Sequence, residues 1–105
     1  MMEIDDVIEA IHATRVNITL HARREAENDG LILDEIFQST QTGEIIEEYP
    51  DDMPYPSYLV YGITSLGDPV HSVWAYDSGS RIAVLVTVYR PDPSRWIDWK
   101  RRRKE

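Results

Sequence analysis

Apolar and polar positions along the chain change period near residue 43. Before it, Ile4, Val7, Ile8 and Ile11 follow i, i+3, i+4, i+7 spacing and predict an amphipathic helix over Glu3–His12. Asp5 and Asp6 fall in its first turn, where acids suit the helix dipole. Thr19 is placed to cap a second helix over Leu20–Asn28, with Gly30 as its terminator. A third helix is predicted over Asp34–Thr40, with Ile32, Ile36 and Phe37 turned inward and Gly43 ending the segment. Beyond Gly43 the pattern predicts strands over Glu44–Tyr49, Ser57–Ile63, Val70–Asp77 and Arg81–Arg90. In Val70–Asp77 alternation sends Val70, Ser72, Trp74 and Tyr76 one way and His71, Val73, Ala75 and Asp77 the other. The last strand sets Ile82, Val84, Val86 and Val88 against Ala83, Leu85, Thr87 and Tyr89. Both sets are largely apolar, which predicts a central position.

Connections fix how these elements join. Pro50, Pro54 and Pro56 exclude helix between the first two strands and make residues 50–56 an acidic, tyrosine-bearing loop. Asp77-Ser-Gly-Ser80 is a turn, and short turns favour an antiparallel meander over crossovers. Pro91-Asp-Pro93 breaks the last strand. Ser94 is then placed to cap a short final helix carrying Trp96 and Trp99 on one side. The expected class is α+β: N-terminal helices packed on one face of a twisted, four-stranded, mainly antiparallel sheet, in a single domain.

Charge narrows the function. The net charge is −8, yet residues 90–105 hold seven Lys/Arg against three acids, while sixteen acids face four basic side chains elsewhere. An acidic body is poor material for general nucleic-acid binding, so no DNA contact is expected and any RNA contact would be local to the tail and nearby arginines. The absence of cysteine excludes disulfides, thiolate zinc sites and cysteine nucleophiles. The first residues carry acids where a secretory signal carries bases, and no apolar run is long enough for a membrane, so a cytoplasmic protein is expected.

Candidate chemistry rests on a few side chains. His71 lies mid-strand and titrates near neutrality; it is either a catalytic group or a buried histidine bonded to backbone or to Tyr49. His21 is either a site residue or a surface histidine paired with Glu25 one turn on. Tyr89-Arg90, with Arg24 and Arg95, would make a small anion site, or Arg90 pairs with a surface acid. The acids Glu47, Glu48, Asp51 and Asp52 are either paired general acid/base groups or cation ligands, or a solvated edge that discourages strand aggregation, the more ordinary role of such a run. No metal-ligand spacing or phosphate loop is present, so neither metal nor cofactor is expected.

Taken in order, His21-Ala22-x-Arg24, Gly43-Glu-Ile-Ile-Glu-Glu-Tyr-Pro-Asp-Asp52, Pro54-x-Pro56-Ser57, Pro69-x-His71 and Thr87-Val-Tyr-Arg-Pro-Asp-Pro93-x-x-Trp96 resemble domain of unknown function 4258. The resemblance spans about Asp5 to Trp99, and divides the chain into an N-terminal helix (1–16), a family-like core (17–99) and a basic tail (100–105). It implies a RelE/ParE-like toxin fold and, with it, a metal-independent ribonuclease: His21, His71 and Tyr89 as catalytic groups, and Arg24, Arg90, Arg95 and Tyr49 holding the nucleotide. It also implies an antitoxin or other protein partner. The alternative is a non-catalytic interaction module on the same fold, with loop 50–56 as a gate or docking edge.

Overall fold

The computed structural model describes residues 2–104. Three helices, α1 (Ile4–His12), α2 (Leu20–Asn28) and α3 (Leu33–Gln41), form where the apolar spacing predicts them. Thr19 caps α2: its hydroxyl oxygen accepts from the Ala22 N–H at 3.0 Å and donates to the Val86 carbonyl at 2.9 Å. That pair of bonds ties the helix start to the sheet. Ile32, expected inward, is exposed at the start of α3, while Ile36 is fully buried.

The sheet has five strands rather than four. To the expected β2 (Glu44–Tyr49), β3 (Ser57–Ile63), β4 (Pro69–Asp77) and β5 (Ile82–Tyr89) is added β1 (Val16–Ile18), and the order is β1-β5-β4-β3-β2. The β2–β5 meander is antiparallel, but β1 runs parallel to β5, so the sheet is mixed. Three residues between two helices are too short for a period to show, and only the free edge of β5 recruits them as strand.

The second correction lies after Arg90. Instead of a final helix, Trp96–Ile97 (β6) and Arg101–Arg102 (β7) form a small hairpin of their own. Its turn is closed by the Lys100 N–H on the Ile97 carbonyl at 3.0 Å, with Asp98 at φ 52° and Trp99 at φ 64°. Asp98 and Trp99 are the two central residues of that bonded turn, and Lys100 is the third residue of the connection, since Ile97 pairs with Arg101.

All three helices cover one sheet face. Val7, Ala10, Ala22, Ala26 and Ile36 pack there with Val60, Val70, Trp74, Ala83, Leu85 and Val88 in one core. A smaller cluster, Leu59, Val73 and Trp96, lies on the opposite face beneath the C-terminal hairpin. No helix among the described residues is long and apolar enough to cross a membrane.

Candidate functional site

Two one-residue bulges assemble the helix-free face. In β5 the register slips between Val73↔Thr87 and Trp74↔Leu85, leaving Val86 as the extra residue. Strict alternation would put Tyr89 with Leu85 under the helices; the bulge turns it over, opposite His71 on the helix-free face. In β2 the slip falls between Ile45↔Val60 and Glu47↔Leu59, with Ile46 as the extra residue. It puts Glu44, Glu47 and Tyr49 on that same face, beside Tyr61, Leu59 and Ser57.

His71 is the centre of the arrangement and is fully buried. Its Nε2 lies 2.6 Å from the Trp99 carbonyl, an acceptor only, so Nε2 carries the proton. Nδ1 is then the acceptor for the Tyr89 hydroxyl at 3.2 Å. Trp96 stands edge-on to the imidazole with ring centroids 4.4 Å apart, and Tyr61 and Tyr89 meet it at similar angles. Of the two structural alternatives for this histidine, the backbone partner is present and Tyr49 is not.

Beside it, Arg102 grips Glu47 with both arms of its fork, Nε to Oε2 at 2.9 Å and Nη2 to Oε1 at 3.1 Å. The Tyr49 hydroxyl donates to the same carboxylate at 2.6 Å. One turn of the hairpin away, Lys100 pairs with Glu44 at 2.7 Å. The guanidinium of Arg102 also stacks 4.7 Å from the Trp96 ring centroid.

These contacts set the titration. Burial pushes His71 below its ordinary value of 6.5, against the pull of the Trp99 carbonyl and Glu47, so the ring is neutral at pH 7. Burial alone would raise Glu47, but its bonds to Arg102 and Tyr49 outweigh that and hold it below 4.5. Burial, then the Glu47 carboxylate, push Tyr49 up to about 12. Both lowered groups act with one sign. Between its folded value and 6.5, His71 binds more protons unfolded than folded, so stability falls as pH drops through that window; Glu47 repeats this below 4.5. The urea midpoint is expected to fall in two steps on acidification, and Glu47→Gln to shrink the lower one, to which Asp77 and Asp92, held below 3.8 by their own hydrogen bonds, also contribute. A flat midpoint across both windows would contradict the burial described.

The predicted site residues separate into two groups. His71, Tyr89, Tyr49 and Arg95 lie on or beside the helix-free face, where Tyr89, Arg90, Asp92, Arg95, Trp96 and Arg102 line a cleft of about 320 Å³. His21 and Arg24 do not join them. Both are exposed on α2, in the layer on the other side of the sheet, so His21 and Arg24 do not share a site with His71 and Tyr89. Arg90 borders the cleft but is committed elsewhere. Its backbone N–H donates to Asp29 Oδ2 at 2.7 Å, and its Nε and Nη2 donate to the Asp29 and Gly30 carbonyls at 2.8 and 3.4 Å. It caps the C-terminus of α2 and also pairs loosely with Asp68 at 3.9 Å.

Arg102 and Trp96 belong to the site without a functional signal of their own in the sequence, and Glu47 stands out there only as one of four edge acids. The signal was the doublet Ile45-Ile46 in an otherwise alternating strand, together with opposite charge runs at 44–52 and 100–104. Loop 50–56 does not gate His71. It borders a separate cleft of about 250 Å³ with Thr19, Ala75, Val84 and Val86. Among the described residues, no group of His, Asp and Glu is arranged to hold a metal ion.

The fold and this face define a small α+β domain with a polar site on its helix-free sheet surface. The chain belongs to the family described as Domain of unknown function (DUF4258), whose model matches residues 18–90. No match was found among curated proteins or among solved structures. The matched segment ends at Arg90, so it holds Glu47, Tyr49, His71 and Tyr89 but not the hairpin that covers them.

Proposed function

We propose that the domain is a RelE/ParE-like, toxin-type ribonuclease that cleaves RNA without a metal on the helix-free face of its sheet. The observation that carries this reading is the Tyr89–His71 pair: a tyrosine on the wall of an arginine-lined cleft, bonded to a neutral buried imidazole. A ribose 2′-hydroxyl bonded to Tyr89 Oη passes its proton there as its oxygen attacks phosphorus, while the Tyr89 proton moves to His71 Nδ1. The imidazolium formed is stabilised by the Glu47 carboxylate, which β2 holds on the same face. Arg95 and Arg102 neutralise the phosphorane, the P–O5′ bond breaks, and O5′ takes a proton from solvent. The products are a 2′,3′-cyclic phosphate and a 5′-hydroxyl.

The test uses the wild-type chain. Induced expression is expected to arrest growth, and the purified protein to cut RNA in the presence of a chelator, leaving cyclic phosphate ends. Neither effect in the wild type would overturn the reading. A second reading, a protein-interaction module, is favoured by loop 50–56, where Met53 is 86% exposed and Tyr55 37% exposed among acids. Under either reading this loop is the docking edge for a partner such as an antitoxin, and co-purification lost on Met53→Asp would support that role.

A further inference from the structure

The hairpin at the C-terminus is built differently from the rest of the molecule. Its backbone bonds are internal: β6 pairs with β7, the Arg103 N–H donates to the Arg95 carbonyl at 2.8 Å, and the Arg95 N–H to the Asp92 carbonyl at 2.9 Å. The hairpin and the five-stranded sheet are separate sheets, with no ladder joining them. What holds it down among the described residues is Trp96, in the small cluster and edge-on to His71, the His71–Trp99 bond, Lys100 over the Tyr61 ring at 5.9 Å, and two ion pairs to β2. The β2 bulge makes that docking fit. It puts Glu44 and Glu47 on one face, where Glu47 meets Arg102 of β7 and Glu44 meets Lys100 in the turn before it.

We propose that residues 91–103 are an autoinhibitory strap, which plugs the helix-free face and swings away about Pro91–Pro93 to admit a polyanion. This rests on the reading of that face as the working site. Closed, the strap buries His71, engages its Nε2 and occupies Glu47. Open, it frees all three and carries Lys100 and Arg102 with it. An RNA strand competes with Glu44 and Glu47 for those same cations, so the ligand itself favours release. The Lys100–Glu44 pair, about half exposed on both sides, contributes little, which suits a contact that must open.

The experiment measures His71 acylation by diethyl pyrocarbonate on the full chain, site by site by mass spectrometry. His12 and His21, both exposed, are internal standards. At low salt His71 is expected to react roughly tenfold or more slowly than either. In about 0.5 M salt, and in Lys100→Glu, its rate is expected to rise about two- to fivefold relative to the standards. The exchanged pair Glu44→Lys/Lys100→Glu is expected to return it to the wild-type value. A His71 rate unmoved by salt and by Lys100→Glu would make the hairpin a fixed wall and overturn the proposal. So would a wild-type His71 as reactive as His21. RNA cleavage separates the two readings: unmasked His71 with no cleavage in any variant removes the ribonuclease and leaves the strap. Unmasked His71 with cleavage equal to the wild type removes autoinhibition.

Discussion

Replacing Gly62 with alanine is expected to destabilise the domain by at least about 3 kcal/mol, the upper end for overpacked sites. A Cβ at this position would lie 1.7 Å from the Ser39 carbonyl oxygen and 2.5 Å from its carbon. Both obstacles are backbone, so no rotamer change relieves them; α3 must lift off β3. The close approach is built from small residues on both sides. Ser39 and Thr40 fold their hydroxyls back onto the Ile36 carbonyl at 2.7 and 2.9 Å, leaving Gly62 room beneath the helix. Gly30→Ala is the comparison. It sits at φ +65° with nothing within 4 Å of the added carbon, so it pays only conformational strain of about 1 kcal/mol. At about 4–8 °C per kcal/mol, Gly62→Ala is expected to melt at least about 12 °C below the wild type. A melting point within about 3 °C of wild type would contradict this packing of α3 on β3.

Much of that packing is legible in the sequence. The three helices, the four meander strands, the Thr19 cap and the faces of β4 follow from spacing and turn chemistry, because each element repeats its signal over several residues. Single-residue events carry no such repetition. Val84-Leu85-Val86 is apolar throughout, so nothing in it marks which residue bulges, and the phase of Tyr89 comes out inverted. Glu47 reads as one more acid on a polar edge until the bulge beside it turns it toward His71. The hairpin was misread for a related reason. Its turn puts Trp99 at positive φ, where a bulky side chain is disfavoured, so local preference argues against the structure that tertiary contacts impose. The bond from His71 to the Trp99 carbonyl, and Trp96 buried against the same ring, are those contacts. His21 and Arg24 failed for want of depth information: proximity to a family signature does not say which side of a sheet a helix covers.

Tyr89→Phe is the change expected to affect cleavage most for the least structural cost. The ring stays, and with it the edge contact to His71 at 5.3 Å between centroids. Only the hydroxyl is lost, and with it one hydrogen bond of 3.2 Å, so stability is expected to fall by about 1 kcal/mol. Cleavage is expected to fall about 10²- to 10⁴-fold, the range for removing a positioned proton carrier. That corresponds to about 2.7–5.5 kcal/mol of barrier, several times the stability cost. Arg90→Ala supplies the opposite pattern. It uncaps α2 and lowers stability, while cleavage per folded molecule changes little, because its guanidinium already donates to the Asp29 and Gly30 carbonyls. The pH profile adds an independent reading. His71 must be neutral to accept the proton, and burial keeps it so down to below 6.5, so the wild-type rate is expected to be level near neutrality and to fall on acidification. In Tyr89→Phe the residual rate is expected to lose that acid limb, since the path to His71 is gone. Cleavage by Tyr89→Phe within about threefold of wild type, far inside the expected range, would separate Tyr89 and His71 from the chemistry.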